Sequence, residues 1–544
     1  MSPLRPRTIL ETHEVLNQPS APNDRDLWGD DQVLRQGVER EGGRTKDPAA
    51  LGKALGEPRY QKAGRDANRF TPELVGFDRS GRRIDEVEFH PSYHQLMELG
   101  LGAGYAASSW ERDGGEHVSH AAMVYLMNQV EPGVCCPMTM TYACFPVLAA
   151  QPDLPDDWHK LILGRRYDAA SRPLAQKSAA TIGMAMTEKQ GGSDIRANST
   201  IATPDGENYR LRGHKWFCSA PMCDAFLTLA QAKGGLTCFL VPRWTPDGQR
   251  NPIQLMRLKD KLGNRANATA EIEYHDAFAS RLGEEGKGVK TILEMVHHTR
   301  LDTAMAPAGL MRAALSEALW WVGGRSAFQR RLIDQPLMRS VLADLALDWE
   351  GALALGLRVA RSFGGKTDQD KAFGRISVAL AKFLSNKRCP VVIYEAMECL
   401  GGSGYIEESP MPLLYREAPL NSIWEGSGNI ICLDVLRTLE REPLAGEALR
   451  NELDAARGAD QRYDGALDAF WARWPNGPHE AEARWFVERL AILLQASVLL
   501  RNAPNAVADG FMQTRVLEER GMISGSVGNI DVAAILQRLG ASAQ

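Results

Sequence analysis

The chain has 544 residues, 44% of them apolar and 24% charged, with a net charge of −5. That length exceeds what one hydrophobic core usually supports, so two to four domains are expected. The mild acidity gives no whole-chain electrostatic case for nucleic acid or a membrane as the main partner, and no apolar run has the length and purity of a membrane span.

The opening Met1-Ser2-Pro3-Leu4-Arg5-Pro6-Arg7 runs into polar sequence without an apolar signal core. Residues to about 60 are rich in Pro, Gly and charge, as an extended arm with short helices would be. Helix-like apolar spacing follows over 90–101 and 121–130. The run 135–150, broken by Pro137 and Pro146, predicts buried helical packing. The nine Cys include no C-x-x-C pair, and Cys135 and Cys136 are adjacent. That is the pattern of reduced, apolar thiols, and it makes a reducing cytoplasm the expected address.

From Tyr209 onward short strand-like runs recur: Tyr209-Arg210-Leu211-Arg212, Ala225-Phe226-Leu227-Thr228-Leu229 and Thr237-Cys238-Phe239-Leu240-Val241. Ala270-Glu271-Ile272-Glu273-Tyr274 alternates as a half-exposed strand should. Gly206, Gly213, Gly234-Gly235 and Pro246-Asp247-Gly248 read as turns between them. A small β domain over about 182–285 follows. Helical character returns after Gly286-Lys287-Gly288, with long segments near 289–322, 337–363 and 371–400 suited to a bundle. Gly401-Gly402-Ser403-Gly404 ends the third, and a new helix begins after Gly428. From about 441 the chain is rich in Glu, Asp, Arg and Ala, with an apolar helix over 491–500.

Three segments carry chemistry. Met186-Thr187-Glu188-Lys189-Gln190-Gly191-Gly192-Ser193-Asp194 offers a hydroxyl donor, a Gly pair permitting close backbone approach, and a second hydroxyl. The same residues would also make a capping box or a plain turn. In His214-Lys215-Trp216-Phe217-Cys218-Ser219, Trp216 suits either the cover of a flat ring or a strand core. In Trp424-Glu425-Gly426-Ser427-Gly428-Asn429 a carboxylate stands between an indole and a flexible loop leading to a helix N-terminus. Apolar walls from Trp424 and Ile423 would raise the pKa of Glu425 toward that of a working base. A surface Glu ahead of a Gly-rich cap is the bland alternative.

Together these segments resemble the flavin site and catalytic base of the acyl-CoA dehydrogenase family over roughly 120–440. The resemblance implies an α+β, mostly α fold: an N-terminal arm and helical domain (1–181), a middle β-barrel or sandwich (182–285) and a C-terminal four-helix-bundle-like domain (286–440). It implies FAD, held by Met186, Thr187, Gly192 and Ser193, by Trp216, Phe217, Cys218 and Ser219, and by Ile423, Trp424, Gly426, Ser427, Gly428 and Asn429. Glu425 would then take the α-proton of an acyl thioester while hydride passes to flavin N5, with an electron-transfer partner or oxygen as the terminal acceptor. Arg325-Ser326-Ala327-Phe328, with Gln335-Pro336 beyond it, resembles a family segment whose Arg reaches the FAD pyrophosphate of a neighbouring subunit. The pattern departs at Gln329, where Gly is usual, at Glu398, where Gln is usual, and at Trp424, where Tyr is common.

Asn17-Gln18-Pro19, Phe89-His90-Pro91, Cys136-Pro137-Met138-Thr139-Met140-Thr141, the stretch Arg257-Leu258-Lys259-Asp260-Lys261-Leu262-Gly263-Asn264-Arg265 and Asn421-Ser422-Ile423-Trp424 resemble more closely the AidB branch of that family, tied to the adaptive response to DNA-alkylating agents. The branch implies an added helical extension over 441–544, a homotetramer, duplex DNA binding and low acyl-CoA turnover. The residues alone say less about DNA: from 441 onward there are 11 Arg and no Lys against 14 Asp and Glu. Arg437 and Arg441, four apart, would share a helix face that suits phosphates or plain solvent. His90 with His94, and His297-His298, lack a supporting ligand set, so no metal is expected. A DNA-associated flavoprotein that protects DNA or deactivates alkylating agents, its dehydrogenase site vestigial, remains the alternative, and a flavin-stabilised scaffold the blander one.

Overall fold

Helix-forming and strand-forming stretches separate along the chain as their periodicities require. The computed structural model describes all residues except 1–5, 21–24, 112–115, 153, 155–156 and 541–544, so the start of the opening segment lies outside the described residues. Helices Gln32–Arg40, Lys46–Leu55, Pro58–Arg69 and Pro91–Ala103 precede His117–Met127, every residue of which is buried. A helix enclosed on all sides must satisfy its polar groups internally. His120 Nε2 meets Asp302 Oδ1 at 2.6 Å; Tyr125 OH donates to Asp31 Oδ2 at 2.6 Å and accepts from Trp349 Nε1 at 3.0 Å. These bonds fasten it to helices Gly288–Gly324 and Pro336–Phe363. Gly309 permits the close crossing, because a Cβ there would lie 2.4 Å from the carbonyl oxygen of Tyr125.

The helical reading of 1–181 omits a hairpin. Strands Glu73–Phe77 and Arg83–Glu88 pair antiparallel around a turn whose Asp78 carboxylate accepts from the amides of Ser80 and Arg82. Asp85 Oδ1 accepts from the Leu255 amide at 2.9 Å, and Arg83 donates to the Leu255 carbonyl at 3.1 Å, so the hairpin is stitched to the β layer.

That layer is a seven-stranded sheet. Asn208–Ser219 pairs with Thr269–Leu282, which pairs with Gly235–Pro242, which pairs with Ala225–Ala232. Ile182–Ala185 runs parallel to Ala225–Ala232 and returns to the first strand at Met184 opposite Ser219, closing the ring. Gly206, Gly235 and Gly248 take positive φ at turns, but Gly213 lies inside strand Asn208–Ser219. Its role there is close packing: a Cβ would come within 2.5 Å of Thr200 Oγ1.

Helices Gly288–Gly324, Pro336–Phe363 and Asp368–Glu398 pack against one another, and the shorter Gly428–Arg441 packs on the third. Pro307 and Pro390 sit inside two of them. Pro307 has no N–H to give the Thr303 carbonyl, and Asn386 Nδ2 donates to that oxygen from the neighbouring helix at 2.8 Å. Beyond 441, helices Pro443–Asp454, Gln461–Arg473, Ala483–Asn502, Asn505–Phe511 and Val532–Arg538 form the extension. It docks through buried ion pairs: Arg515 with Asp344 and Asp348, Arg358 with Glu452, and Arg538 with Glu350. Arg515, Arg520 and Arg538 are therefore engaged in docking, and Arg501 in a pair with Glu452 inside the extension, rather than presented to solvent as a phosphate-binding field. Among the described residues no helix is long and apolar enough to cross a membrane.

Candidate active site

Strand Ile182–Ala185 delivers the Met186–Asp194 loop to the rim of the β ring. The loop is anchored by Glu188, whose Oε1 meets Lys215 Nζ at 2.7 Å with both side chains fully enclosed. Glu188 Oε2 also accepts from the Ser199 amide and hydroxyl, and Oε1 from the Thr200 amide. Burial pushes the Glu188 carboxyl up, but the Lys215 charge and these donors win and hold it well below the ordinary range. Asn198 Nδ2 fixes the Met186 carbonyl, and the Trp216 amide donates to the Thr187 carbonyl at 2.8 Å. Gly192 lies against Thr187 so tightly that a Cβ would approach Oγ1 to 2.4 Å, while Ser193 is exposed at the loop tip.

On the adjoining strand the register shifts between Lys215 and Cys218, so successive side chains do not alternate simply. Trp216 is half-buried, with Lys259 Nζ 3.2 Å from its ring centroid on one side, and Phe217 beside it is exposed. Ser219 is half-buried at the strand end. Cys218 points into the core of the β ring, which leaves only its backbone for a cofactor.

Glu425 stands at the junction of three bundle helices. It adopts φ +57°, a left-handed conformation that a non-Gly residue holds only when its surroundings enforce it. Lys382, 1% exposed, enforces it by donating to the carbonyls of Asn421 and Gly426, each at 2.9 Å. Arg300 Nε donates to the Glu425 carbonyl at 3.2 Å while its Nη1 pairs with Asp434 at 2.7 Å; Arg375 holds the other Asp434 oxygen. Trp424 is pinned by Nε1 donating to Asn421 Oδ1 at 2.7 Å. Glu425 Oε2 is buried without a hydrogen-bond partner. Burial raises the pKa of this carboxyl, moderated by the Thr299 hydroxyl and the charges of Lys382 and Arg300. Lys382 in turn is brought down to about 7 by burial and by Arg300.

Buried Cys136 lies within electrostatic reach of both Ser219 and Glu425. Its thiol, pushed up to about 12 chiefly by burial, feels the Lys261 and Glu425 charges and the Ser219 hydroxyl. Trp424 is half-buried, and Ile423 before it is 62% exposed. Ser427, Gly428 and Asn429 form the start of helix Gly428–Arg441, and Ser427 makes no side-chain cap.

The hairpin Ser326–Ala327/Arg330–Arg331 follows helix Gly288–Gly324. Arg325 donates to the Asn17 carbonyl and lies 5.0 Å from the Trp321 ring, and Gln335 Nε2 donates to the Ala327 carbonyl. Asn17 brackets Ser326, donating to its carbonyl at 2.8 Å and accepting from its amide at 2.7 Å. Gln329 takes φ +64°, the conformation for which Gly is suited, with its side chain exposed. Arg437 and Arg441 are both exposed on Gly428–Arg441. His90 accepts from the Ser92 amide at a helix start, and His94 bonds the Tyr167 hydroxyl.

Lys382 and Arg300 hold the Glu425 loop, and motif reading did not find them. Each lies on a helical stretch with no local signature; the nearest signal is an uncompensated Lys in the apolar run around Leu380. The whole arrangement fits a flavin. Thr187 and Gly192 form a tight donor cradle, Trp216 and Phe217 present rings, and an uncapped helix start suits an anionic group.

Comparison with known proteins agrees. Residues 17–169 match the adaptive response protein AidB N-terminal domain, 183–277 the acyl-CoA dehydrogenase middle domain, and 286–440 the acyl-CoA dehydrogenase C-terminal domain. The chain is 44% identical over 519 residues to the putative acyl-CoA dehydrogenase AidB of Escherichia coli (strain K12), covering 94% of this chain and 95% of that one. It is 33% identical over 394 residues to acyl-CoA dehydrogenase family member 11 of Caenorhabditis elegans, covering 69% and 63%. The crystal structure of Caenorhabditis elegans ACDH-11 in complex with C11-CoA has a TM-score of 0.82 at 26% identity over 94% of each chain. An acyl-CoA dehydrogenase from Bacillus anthracis complexed with FAD shares the fold, with a TM-score of 0.64 at 17% identity over 96% and 95% of the two chains. The chain belongs to the acyl-CoA dehydrogenase family, on its AidB branch, and is an FAD-dependent oxidoreductase.

Proposed function

We propose that the chain dehydrogenates an acyl thioester, with Glu425 as the base that removes the α-proton. The observation that carries this is the partnerless, buried Oε2 of Glu425 on a left-handed loop clamped by Lys382 and Arg300. A carboxylate held there is desolvated enough to be basic and has one oxygen free for a substrate proton. Bound FAD supplies the two-electron acceptor. Thr187, Gly192, Ser193, Trp216, Phe217 and Ser219 would hold the flavin from the β ring, and Trp424 and Gly426 to Asn429 from the bundle. Trp216 and Trp424 exclude water on their sides of the site; Lys382 and Arg300 keep the Glu425 backbone in position. An electron-transfer protein or oxygen is the terminal acceptor in this reading. The test is an anaerobic titration of the purified flavoprotein with acyl-CoAs of graded chain length, following the visible flavin bands. Bleaching in wild type and not in Glu425→Gln is expected; equal bleaching in both would remove Glu425 as the base.

The match of 17–169 to the AidB N-terminal domain supports a role in the response to DNA alkylation. Duplex DNA would meet the exposed pair Arg437 and Arg441, and affinity for a DNA duplex that does not fall with salt would contradict phosphate-led binding there. A homotetramer is supported by the exposed hairpin, where Phe328 is 95% exposed, a poor state for an aromatic in a lone chain. Its test is the native mass in solution.

A further inference from the structure

Asp434 lies beyond Glu425 on helix Gly428–Arg441, and two arginines from neighbouring helices close on it. Arg300, on Gly288–Gly324, gives Nη1 to Asp434 Oδ2 at 2.7 Å. Arg375, on Asp368–Glu398, gives Nη1 to the same oxygen at 3.1 Å and Nη2 to Oδ1 at 2.9 Å. All three side chains are largely buried. Burial pushes the Asp434 carboxyl up, but the bonds and charges of Arg375 and Arg300 outweigh it and hold the group below its ordinary range. Asp434 is therefore a fixed negative charge at neutral pH. Among the described residues it is the one carboxylate in ion-pair contact with Arg300.

Arg300 also touches the Glu425 loop. Its Nε donates to the Glu425 carbonyl at 3.2 Å, and a Cβ on Gly426 would lie 3.6 Å from its Nη2. The guanidinium thus stands against the same residue whose Oε2 is buried without a partner. An arginine and a carboxylate this close, away from water, pair with each other unless another group holds one of them. Asp434 is the group that holds Arg300. The remaining neighbours are few. Lys382, the Thr299 hydroxyl and the Cys136 thiol face Glu425 from the other helices packed on its loop. His297, stacked on Phe363 at 4.4 Å, faces Arg300, Arg375 and Asp434. Burial, His298 and the two arginines keep His297 well below the ordinary histidine range, so it adds no charge at neutral pH. Glu442, where the extension begins, reaches Arg375 Nε at 3.3 Å from a half-exposed position.

We propose that Asp434 is a positioning residue, holding Arg300 on the Glu425 carbonyl and away from the Glu425 carboxylate, so that Oε2 stays free for a substrate proton. The use of Oε2 rests on Glu425 being the base; the effect of Asp434 on Glu425 ionisation does not. That ionisation is read in the full-length flavoprotein, as the pH titration of the protonated-carboxyl infrared band that Glu425→Gln removes. Single-turnover flavin reduction by an acyl-CoA that bleaches wild type is followed over the same pH range, and every variant is checked by thermal melting. In Asp434→Asn, Arg300 is released toward Glu425, and the band midpoint falls by about one unit or more, the usual effect of an opposite charge at contact. The plateau rate falls with it, by up to about tenfold for each unit of basicity lost. Asp434→Glu, which keeps the charge, restores most of the midpoint. Glu442→Gln, which takes a carboxylate from Arg375 alone, leaves the midpoint in place. In an Arg300→Gln background Asp434→Asn no longer moves it, because the two residues act as one unit. Should Asp434→Asn fold poorly, Asp434→Asn with Arg375→Gln removes opposite charges together and still frees Arg300, and the same fall is expected. An unmoved or raised midpoint in whichever of these folds, or an equal fall in the Arg300→Gln background, would overturn the proposal. A midpoint that falls while the rising limb of the rate stays put upholds the Asp434 contact and counts against Glu425 as the base.

Discussion

Lys215 and Lys382 are both almost completely buried, one in the β ring and one in the helical bundle, and their surroundings differ. Lys215 faces a carboxylate: Glu188 meets it at 2.7 Å, and the same carboxylate gathers amides and hydroxyls of the flavin-side loop. Lys382 donates to two carbonyls of the Glu425 loop and, among the described residues, forms no ion pair with a carboxylate. In low dielectric a paired charge is spent on holding its partner, whereas a charge facing only dipoles keeps its field. The β ring thus fixes the loop proposed to hold the cofactor, and the bundle tunes the proposed base. Lys382 at about 7 and the raised Glu425 carboxyl are two faces of that tuning, one group brought down by burial and the other up.

The largest effect on stability is expected on the paired side. Lys215→Met leaves Glu188 buried and uncompensated, and a loss of about 3–5 kcal/mol is expected in denaturant unfolding. Glu188 has a depressed folded pKa, so its stabilising contribution is present above the unfolded value near 4.5 and is lost as pH falls below it. Wild type should therefore weaken on acidification through that window more than Lys215→Met does.

On the unpaired side the effect moves from stability to rate. Glu425→Gln should slow flavin reduction by about a hundred- to ten-thousand-fold, the usual contribution of a positioned base. Its melting temperature at neutral pH should be unchanged or higher. The sign follows from the raised folded pKa: the contribution of Glu425 is present below 4.5 and lost as pH rises through the folded value, so ionised Glu425 is a burden that Gln relieves.

Lys382→Met should cost about 1–3 kcal/mol, because two buried carbonyls lose their donor. It should also displace the rising limb of the pH–rate profile to higher pH, since Lys382 helps hold the Glu425 carboxyl down. A stability loss with an unmoved limb would reduce Lys382 to a strut. The smallest change is expected for Lys259→Ala, which removes the ammonium over Trp216: about 1 kcal/mol or less in unfolding.

Much of the scaffold was legible in the sequence, because long apolar periodicities near 289–322, 337–363 and 371–400 match helices Gly288–Gly324, Pro336–Phe363 and Asp368–Glu398 to within a few residues. The alternation in 270–274 lies within the strand Thr269–Leu282. The hairpin at 73–88 was missed although Ile84 and Val87 flank a polar pair and Asp78 to Gly81 is a turn, because it is short and amid helices. Gly213 looked like a turn, yet it serves close packing against Thr200, which only the neighbouring strand reveals. Cys218 and Ile423 enter the flavin reading by motif position, which does not reveal that the first side chain is buried and the second exposed. Asn386 was invisible for a different reason: its duty is created by Pro307, 79 positions away, whose missing N–H it replaces.

The most direct test of the division between a fixing side and a tuning side is the pH dependence of anaerobic, single-turnover flavin reduction by an acyl-CoA that bleaches wild type, run in parallel on Glu425→Gln and Lys382→Met. The account predicts a limb in wild type that rises with a midpoint above 4.5, no such limb in Glu425→Gln, and a limb shifted upward in Lys382→Met. An identical rising limb in all three proteins would contradict it, placing the base elsewhere than Glu425.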